Sequence, residues 1–277
     1  MPEGHTLYRL ARSINDHLSG EVVEVSSPQG RFADSAGLVD GTVLVGAESW
    51  GKHLFIVFEA DRHVHVHLGL YGKFDVYDGL APGPVGQVRL RIVGGSSYAD
   101  LRGATVCDLL TLTARTAVID RLGPDPLRDD ADPRKAWARI SRSKTPIGAL
   151  LMDQKVLSGV GNVYRAEVLF RQRIHPLRPG YTLRRGQFEA MWDDLVRLMH
   201  YGVRTGRIDT VRDQHTPEAM GREPRKDDHG GEVYVYRRHN QPCHVCAATV
   251  RTEGLAGRNL FWCPRCQPKF RTRAVLR

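Results

Sequence analysis

Long hydrophobic runs are missing from this chain: no stretch of its 277 residues approaches the roughly 18 to 20 consecutive apolar side chains that a spanning helix needs. The start also lacks the basic segment followed by an apolar one that marks a secretory leader. A soluble cytoplasmic protein is the expectation. Internal repeats are absent as well, which removes repeat architectures. Acidic residues are outnumbered, 31 against 40 Lys and Arg, for a net charge of +9 and a pI of about 9.5. That balance favours a polyanionic partner. Membrane surfaces are the competing anion, and nothing apolar enough to enter one accompanies the charge.

Cysteine is scarce too, five residues in all, yet four of them fall in one short stretch: Cys243-x-x-Cys246, sixteen residues, then Cys263-x-x-Cys266. Each x-x turn aims two thiolates inward and the intervening loop returns as a hairpin, so the four can wrap one tetrahedral zinc ion as a structural ribbon. Two disulfides, or a zinc knuckle that only stabilises the chain, are the competing readings. Cys107 stands alone. Around the ribbon crowd Arg237, Arg238, Arg251, Arg258, Arg265, Lys269, Arg271, Arg273 and Arg277, with Phe261 and Trp262 among them. Such a surface suits a phosphate backbone.

Between Gly20 and about Leu112 the chain is rich in valine. Short apolar runs at Val43-Leu44-Val45, Leu54 to Phe58, Val64-His65-Val66 and Val88 to Ile92 predict strands, parted by turns such as Asp40-Gly41 and Gly94-Gly95. A sandwich or barrel follows. Ahead of it Leu7, Leu10, Ala11 and Ile14 share one helical face, an opening helix packed on the sheet. Composition changes near Gly123-Pro124-Asp125-Pro126-Leu127, and beyond it the pattern is helical. Thr145-Pro146 reads as a helix start, hydroxyl cap then proline, with Ile147, Leu150 and Leu151 as the buried stripe. A longer stripe runs through Phe188, Met191, Trp192, Leu195, Leu198 and Met199. The polar segment from Gly202 to Gly231 is long for a loop in a compact domain, so it is read as mobile or functional.

The fold expected from these patterns is multi-domain α+β. A β-sandwich with its opening helix occupies 1–115, a helical domain with a helix-two-turns-helix element 116–235, which the family resemblance given below implies is DNA-binding, and a four-cysteine zinc-ribbon module 236–277.

Two motifs bear chemistry. Met1-Pro2-Glu3 places a small residue after the initiator, so removal of Met1 leaves a secondary amine on a rigid ring. Such an amine titrates around 7.7 to 8.0 and can attack an electrophilic carbon to form an iminium, with Glu3 next to it to move protons. Ser158-Gly159-Val160-Gly161-Asn162 reads as a tight turn opening a second helix, where free amides and the Asn162 side chain can meet a phosphate. Each has an ordinary alternative, an unremarked terminus and a plain interhelical turn.

Taken in order, these residues resemble the formamidopyrimidine-DNA glycosylase and endonuclease VIII family of bacterial base-excision enzymes. The resemblance runs through Pro2-Glu3-Gly4, Gly51-Lys52, His67-Leu68-Gly69-Leu70-Tyr71-Gly72, Leu122 to Leu127, Met152-Asp153-Gln154 through Asn162, Ile174-His175-Pro176, and the finger with Arg258 and Phe261-Trp262. It implies Pro2 as nucleophile at C1′ of a nucleotide rotated out of the duplex, Glu3 as acid/base partner and Lys52 as a phosphate-side proton-transfer lysine. It also implies Asn162 and Arg258 as the pair gripping the flanking phosphates, and Leu70 and Tyr71 as the wedge entering the vacated space. The implied activity is glycosylase and β,δ-elimination lyase on double-stranded DNA with damaged bases or abasic sites, by a monomer holding one structural zinc, with no catalytic metal or organic cofactor and no membrane partner. Location would be cytoplasmic, at the nucleoid.

Some positions depart from the family pattern. His5 and Thr6 stand where many members carry Pro-Glu, so a second acidic group near the nucleophile is missing. Asp100-Leu101-Arg102-Gly103-Ala104 replaces the void-filling run of the guanine-oxidation branch, which with Leu70-Tyr71 favours the endonuclease VIII branch and oxidised pyrimidines. Lys155 and the Gly206 to Gly231 segment lean the other way. The missing acid is the support for an alternative, a non-catalytic or lyase-weakened DNA-damage-binding paralogue. A zinc-ribbon transcription factor fares worst, since no basic helix is an obvious reader of base edges. His63, His65 and His67 share one strand face and Asp125, Asp129, Asp130 and Asp132 form an acidic run; each suggests a metal site, but satisfied strand histidines and a solvated linker are the simpler readings.

Overall fold

The computed structural model describes residues 2–226 and 231–270. Met1, positions 227–230 of the polar segment, and Arg271, Arg273 and Arg277 of the basic finger lie outside the described residues. Contacts divide the chain into two compact units, Met1–Leu122 and Gly123–Arg277, and each is described by itself.

The first unit opens with α1 (Gly4–Leu18), whose Leu7, Leu10, Ala11, Ile14 and Leu18 are all buried. Each large aliphatic side chain so buried contributes about 2 kcal/mol; a carboxylate in place of Ile14 would sit unsolvated in the core. Then follow β1 (Val22–Ser26), α2 (Ala33–Val39), β2 (Thr42–Trp50), β3 (His53–Phe58), β4 (Arg62–His67), β5 (Lys73–Asp78), β6 (Val88–Val93), β7 (Ser97–Arg102), β8 (Val106–Leu110) and α3 (Leu112–Ile119). Eight antiparallel strands run in the order β5-β7-β6-β1-β2-β3-β4-β8. The short strand β1 joins the two halves: Val22 and Val23 pair with β2, whereas Glu24, Val25 and Ser26 pair with β6. Leu90, Ile92, Ala99 and Leu101 from one half and Leu54, Ile56, Phe58, Val64 and Val66 from the other enter one core with α1. This is the expected sandwich with its opening helix.

The second unit contains α4 (Pro133–Ile140), α5 (Ile147–Leu150), α6 (Asn162–Arg171), α7 (Arg185–Thr205), α8 (Pro217–Met220) and the hairpin β9 (Arg251–Leu255) and β10 (Arg258–Trp262). The Phe188 to Met199 stripe lies on α7 as expected, with Trp192 only half-buried, and Gly206 closes the helix in the left-handed conformation at φ +74. The helix start at Thr145-Pro146 differs from expectation. Pro146 itself is the cap, extended at ψ 136, and α5 lasts four residues, because the Thr145 carbonyl accepts the N–H of Gly180 instead of starting a helix. The described part of the polar segment is also not one open loop. It carries α8, capped by the Thr216 hydroxyl, and Arg222 pairs with Glu232 at 2.6 Å. No described helix is long and apolar enough to cross a membrane.

Candidate active site and metal centre

Glu3 occupies the cap position of α1 in extended conformation, φ −119 and ψ 177, and its carbonyl accepts the Thr6 N–H at 2.9 Å. Glutamate is a poor helix cap, and this side chain makes no capping bond. It is nevertheless fully buried. Pro2, half-buried, lines a cavity of about 490 Å³ together with Thr6 and Arg9 of α1 and Lys73, Asp75 and Tyr77 of β5. Where a second acid is missing, His5 is buried and its pKa is pushed down to about 4, by burial first and then by the charge of Arg9. A neutral imidazole therefore stands there at neutral pH.

Lys52 sits in the two-residue turn joining β2 to β3, where Trp50 pairs with His53 and Gly51 takes φ +59. Its charge reaches both His53 and His67, helping to hold the two rings below their ordinary pKa, after burial. Leu70 and Tyr71 project from the tight loop after β4, 41% and 85% exposed. The loop is closed by Gly72 N–H donating to the Leu68 carbonyl at 3.0 Å. A Cβ on Gly72 would lie 2.2 Å from that carbonyl oxygen, so a larger residue cannot close it. Asp100, by contrast, is buried within β7 and bridges Arg91 at 2.7 Å and Arg102 at 2.8 Å, with Leu101 buried beside it.

In the second unit, Gln154 ties the turn before α6, its Oε1 accepting the Gly159 N–H at 3.0 Å and its amide donating to the Val160 carbonyl at 3.0 Å. Gly159 takes φ +81. Asn162 begins α6 but is buried. Its amide donates to the Asn259 carbonyl at 3.2 Å, and its Oδ1 accepts from Arg165. Arg165, wholly buried, also donates to Gly148 and Asn259 carbonyls at 3.2 and 3.0 Å. Arg258, exposed, precedes Asn259 directly after the Ala256-Gly257 turn, both of whose residues have positive φ. The structure thus brings Asn162 and Arg258 into one neighbourhood.

The four cysteine sulfurs lie within 4.8 Å of one another, with Cys243 to Cys266 at 3.9 Å and Cys246 to Cys263 at 3.4 Å. A disulfide needs about 2.05 Å. Sulfurs at tetrahedral corners about 2.3 Å from a zinc ion stand near these separations. The set fits one structural zinc, and Gln267 steadies the Cys263 backbone, its Oε1 accepting the Cys263 N–H at 3.0 Å.

The other two metal ideas do not survive. Among the described residues the cysteines alone form a metal-ligating cluster. Asp130 pairs with Arg128 at 2.8 Å, Asp132 caps α4, and buried Asp125 accepts the Leu127 N–H. His65 bonds His53 at 2.8 Å. One residue that sequence reasoning passed over is Glu167. Fully buried, it accepts three successive N–H groups, from Tyr234, Val235 and Tyr236 at 2.7, 2.9 and 2.9 Å, and the Thr210 hydroxyl at 2.6 Å. The signal was a carboxylate lying on the apolar face of α6.

Comparison with known proteins agrees in order along the chain. The formamidopyrimidine-DNA glycosylase N-terminal domain matches residues 1–107, the formamidopyrimidine-DNA glycosylase H2TH domain 122–214, and the zinc finger found in FPG and IleRS 240–269. The chain is 53% identical over 274 residues to "Endonuclease 8 1" of Mycobacterium tuberculosis, covering 96% of this chain and 100% of that one. It is 30% identical over 285 residues to a formamidopyrimidine-DNA glycosylase of Parasynechococcus marenigrum, at 96% and 100% coverage. The fold matches the Lactococcus lactis Fpg crystallised with DNA containing an abasic site, TM-score 0.78 at 20% identity, covering 96% of this chain and 100% of that one. MutM of Thermus thermophilus gives 0.75 at 26% identity, with 98% and 100% covered.

Proposed function

Since this chain belongs to the formamidopyrimidine-DNA glycosylase and endonuclease VIII family, we propose that it excises oxidised bases, chiefly pyrimidines, from double-stranded DNA and cuts the strand at the resulting site. It is a DNA repair glycosylase with lyase activity, carrying one structural zinc. Pro2, freed by loss of Met1, attacks C1′ as the bond to the base breaks. The base leaves with a proton, the C1′–O4′ bond then opens as O4′ takes a proton, and the iminium left at C1′ acidifies C2′–H. Loss of that proton expels the 3′ phosphate, and a second elimination expels the 5′ phosphate. Glu3 moves protons at the sugar, Lys52 assists beside the phosphate, Asn162 and Arg258 bind the flanking phosphates, and Leu70 and Tyr71 fill the gap left by the rotated nucleotide. The protein acts as a monomer in the cytoplasm, on the nucleoid.

The observation that carries this reading is the start of α1: an open cavity lined by Pro2 directly before a carboxylate that is wholly buried. The preference for pyrimidines draws on the similarity to endonuclease 8 and on the Leu70-Tyr71 pair. A second reading, a damage-binding protein that no longer turns over, draws on the neutral His5 where an acid is missing. A duplex bearing one thymine glycol tests the two. Strand cleavage supports the enzyme; tight binding without cleavage supports the second reading.

A further inference from the structure

Strands β3 and β4 present a row of rings on one face. Phe55 pairs with His65 in the register and stacks on it at 4.9 Å between centroids, with the Arg115 guanidinium 5.6 Å over Phe55. Next along, Nδ1 of His53 lies 2.8 Å from Nε2 of His65, the rings stacked at 5.1 Å. His67 then stands edge-on to His53, again at 5.1 Å and with 67° between planes. This is the face turned away from the core that Leu54, Ile56, Val64 and Val66 enter.

The row ends on a hydrogen bond into the exposed loop. Nδ1 of His67 accepts the N–H of Gly69 at 3.0 Å, which leaves the ring proton on Nε2. Gly69 directly precedes Leu70 and adopts φ +69; a Cβ there would fall 1.8 Å from the Thr105 hydroxyl oxygen, so the backbone has one narrow path. The backbone ties around it are Gly72 N–H to Leu68 carbonyl at 3.0 Å and Thr105 N–H to His67 carbonyl at 2.9 Å. Burial, and then the charge of Lys52, lower the His67 pKa, which favours the neutral ring that can accept.

We propose that His67, its ring braced by His53 and His65, is the positioning residue that holds the Leu70-Tyr71 loop in the one conformation able to enter a duplex. The inference rests on reading Leu70 and Tyr71 as the wedge. Loss of the Gly69 bond frees the loop start, so insertion into a stacked duplex suffers, while a substrate with no base to displace is handled as before.

Hydrogen exchange of the peptide spanning 68–72 tests the anchoring independently of any activity. His67→Ala should speed it about fivefold, the worth of one ordinary hydrogen bond. It should lower excision of a paired thymine glycol by a similar factor while leaving cleavage at an abasic site unchanged. His67→Asn, whose Oδ1 can take the place of Nδ1, should restore both; His67→Gln, which reaches toward the Nε2 position, should not. His53→Ala should give the same split in weaker form. Unchanged loop exchange in His67→Ala, equal behaviour of the Asn and Gln variants, or a wild-type His53→Ala overturns the proposal. If Leu70→Ala/Tyr71→Ala fails to separate the two substrates, the wedge reading falls, and the exchange data alone then decide whether His67 positions the loop.

Discussion

The side-chain amide of Asn162 and the backbone carbonyl of Asn259, 97 residues apart in sequence, share a 3.2 Å hydrogen bond. It joins the start of α6 to the finger hairpin one residue from Arg258, so the two groups assigned to the phosphates stand on a common support. Asn162→Ala removes a donor to Asn259 and an acceptor for buried Arg165, a loss of about 1 to 3 kcal/mol. A double-mutant cycle of Asn162→Ala with Arg258→Ala on affinity for abasic-site DNA should show coupling of at least about 0.5 kcal/mol. Additive losses would mean that the two grip independently.

Zinc removal should act on binding before it acts on chemistry. A chelator strong enough to take the ion from Cys243, Cys246, Cys263 and Cys266 removes the frame that presents Arg258. Affinity for a lesion duplex should fall on the order of ten- to a hundredfold, with a shallower salt dependence. Arg258→Ala should reproduce part of that fall with zinc content unchanged. An unaltered affinity after verified metal loss would return the finger to a purely stabilising role.

Acid should weaken the fold through its buried imidazoles. His5 and His65 are 5% and 7% exposed and are both held at about 4, each chiefly by burial, with Arg9 adding to His5 and Asp108 opposing at His65. Between pH 6.5 and about 4 the unfolded chain binds protons that the folded chain refuses, so stability is full above 6.5 and falls as pH drops toward 4. At pH 5 each ring contributes a loss of up to about 2 kcal/mol. Urea midpoints at pH 7.5, 6 and 5 measure it, and His65→Gln should flatten the fall. A wild-type midpoint constant from 6.5 to 5 would contradict the account.

The exposed apolar pair should matter only where a base must be displaced. Leu70→Ala with Tyr71→Ala should slow excision of a paired thymine glycol by on the order of tenfold or more, since unstacking costs a few kcal/mol that the wedge offsets. Cleavage at a pre-formed abasic site should be nearly unchanged. Equal slowing on both substrates would place the pair in general DNA binding instead.

Local features of the chain were readable and distant ones were not. The cysteine ligands and the stripe on α7 declare themselves by spacing within a few turns, and β2, β3, β4 and β6 by their runs of valine, leucine and isoleucine. Strands β5, β7 and β8 escaped notice because each carries an aspartate, Asp75, Asp100 or Asp108, that reads as loop until its partner is known; buried Asp100 needs Arg91 and Arg102. The supports of the site were hidden for the same reason. Glu167 acquires its role from amides 67 to 69 residues away, and the His53 to His65 bond joins neighbouring strands whose register no single strand reveals. Histidines on one face suggested a metal, whereas packing of the two strands set His65 and His67 against His53 of the neighbouring strand and left His63 out of the group.

The central claim is that the amine of Pro2 becomes covalently attached to deoxyribose, and peptide mapping of a reduced adduct tests it most directly. The protein is first checked by mass for loss of Met1, then incubated with an abasic-site duplex in borohydride and digested. The account predicts a single cross-linked peptide beginning at Pro2, and its loss on acetylating that amine or on Pro2→Gly with the terminus blocked. An adduct mapping to a lysine such as Lys52, or undiminished strand cleavage by the blocked protein, would contradict it.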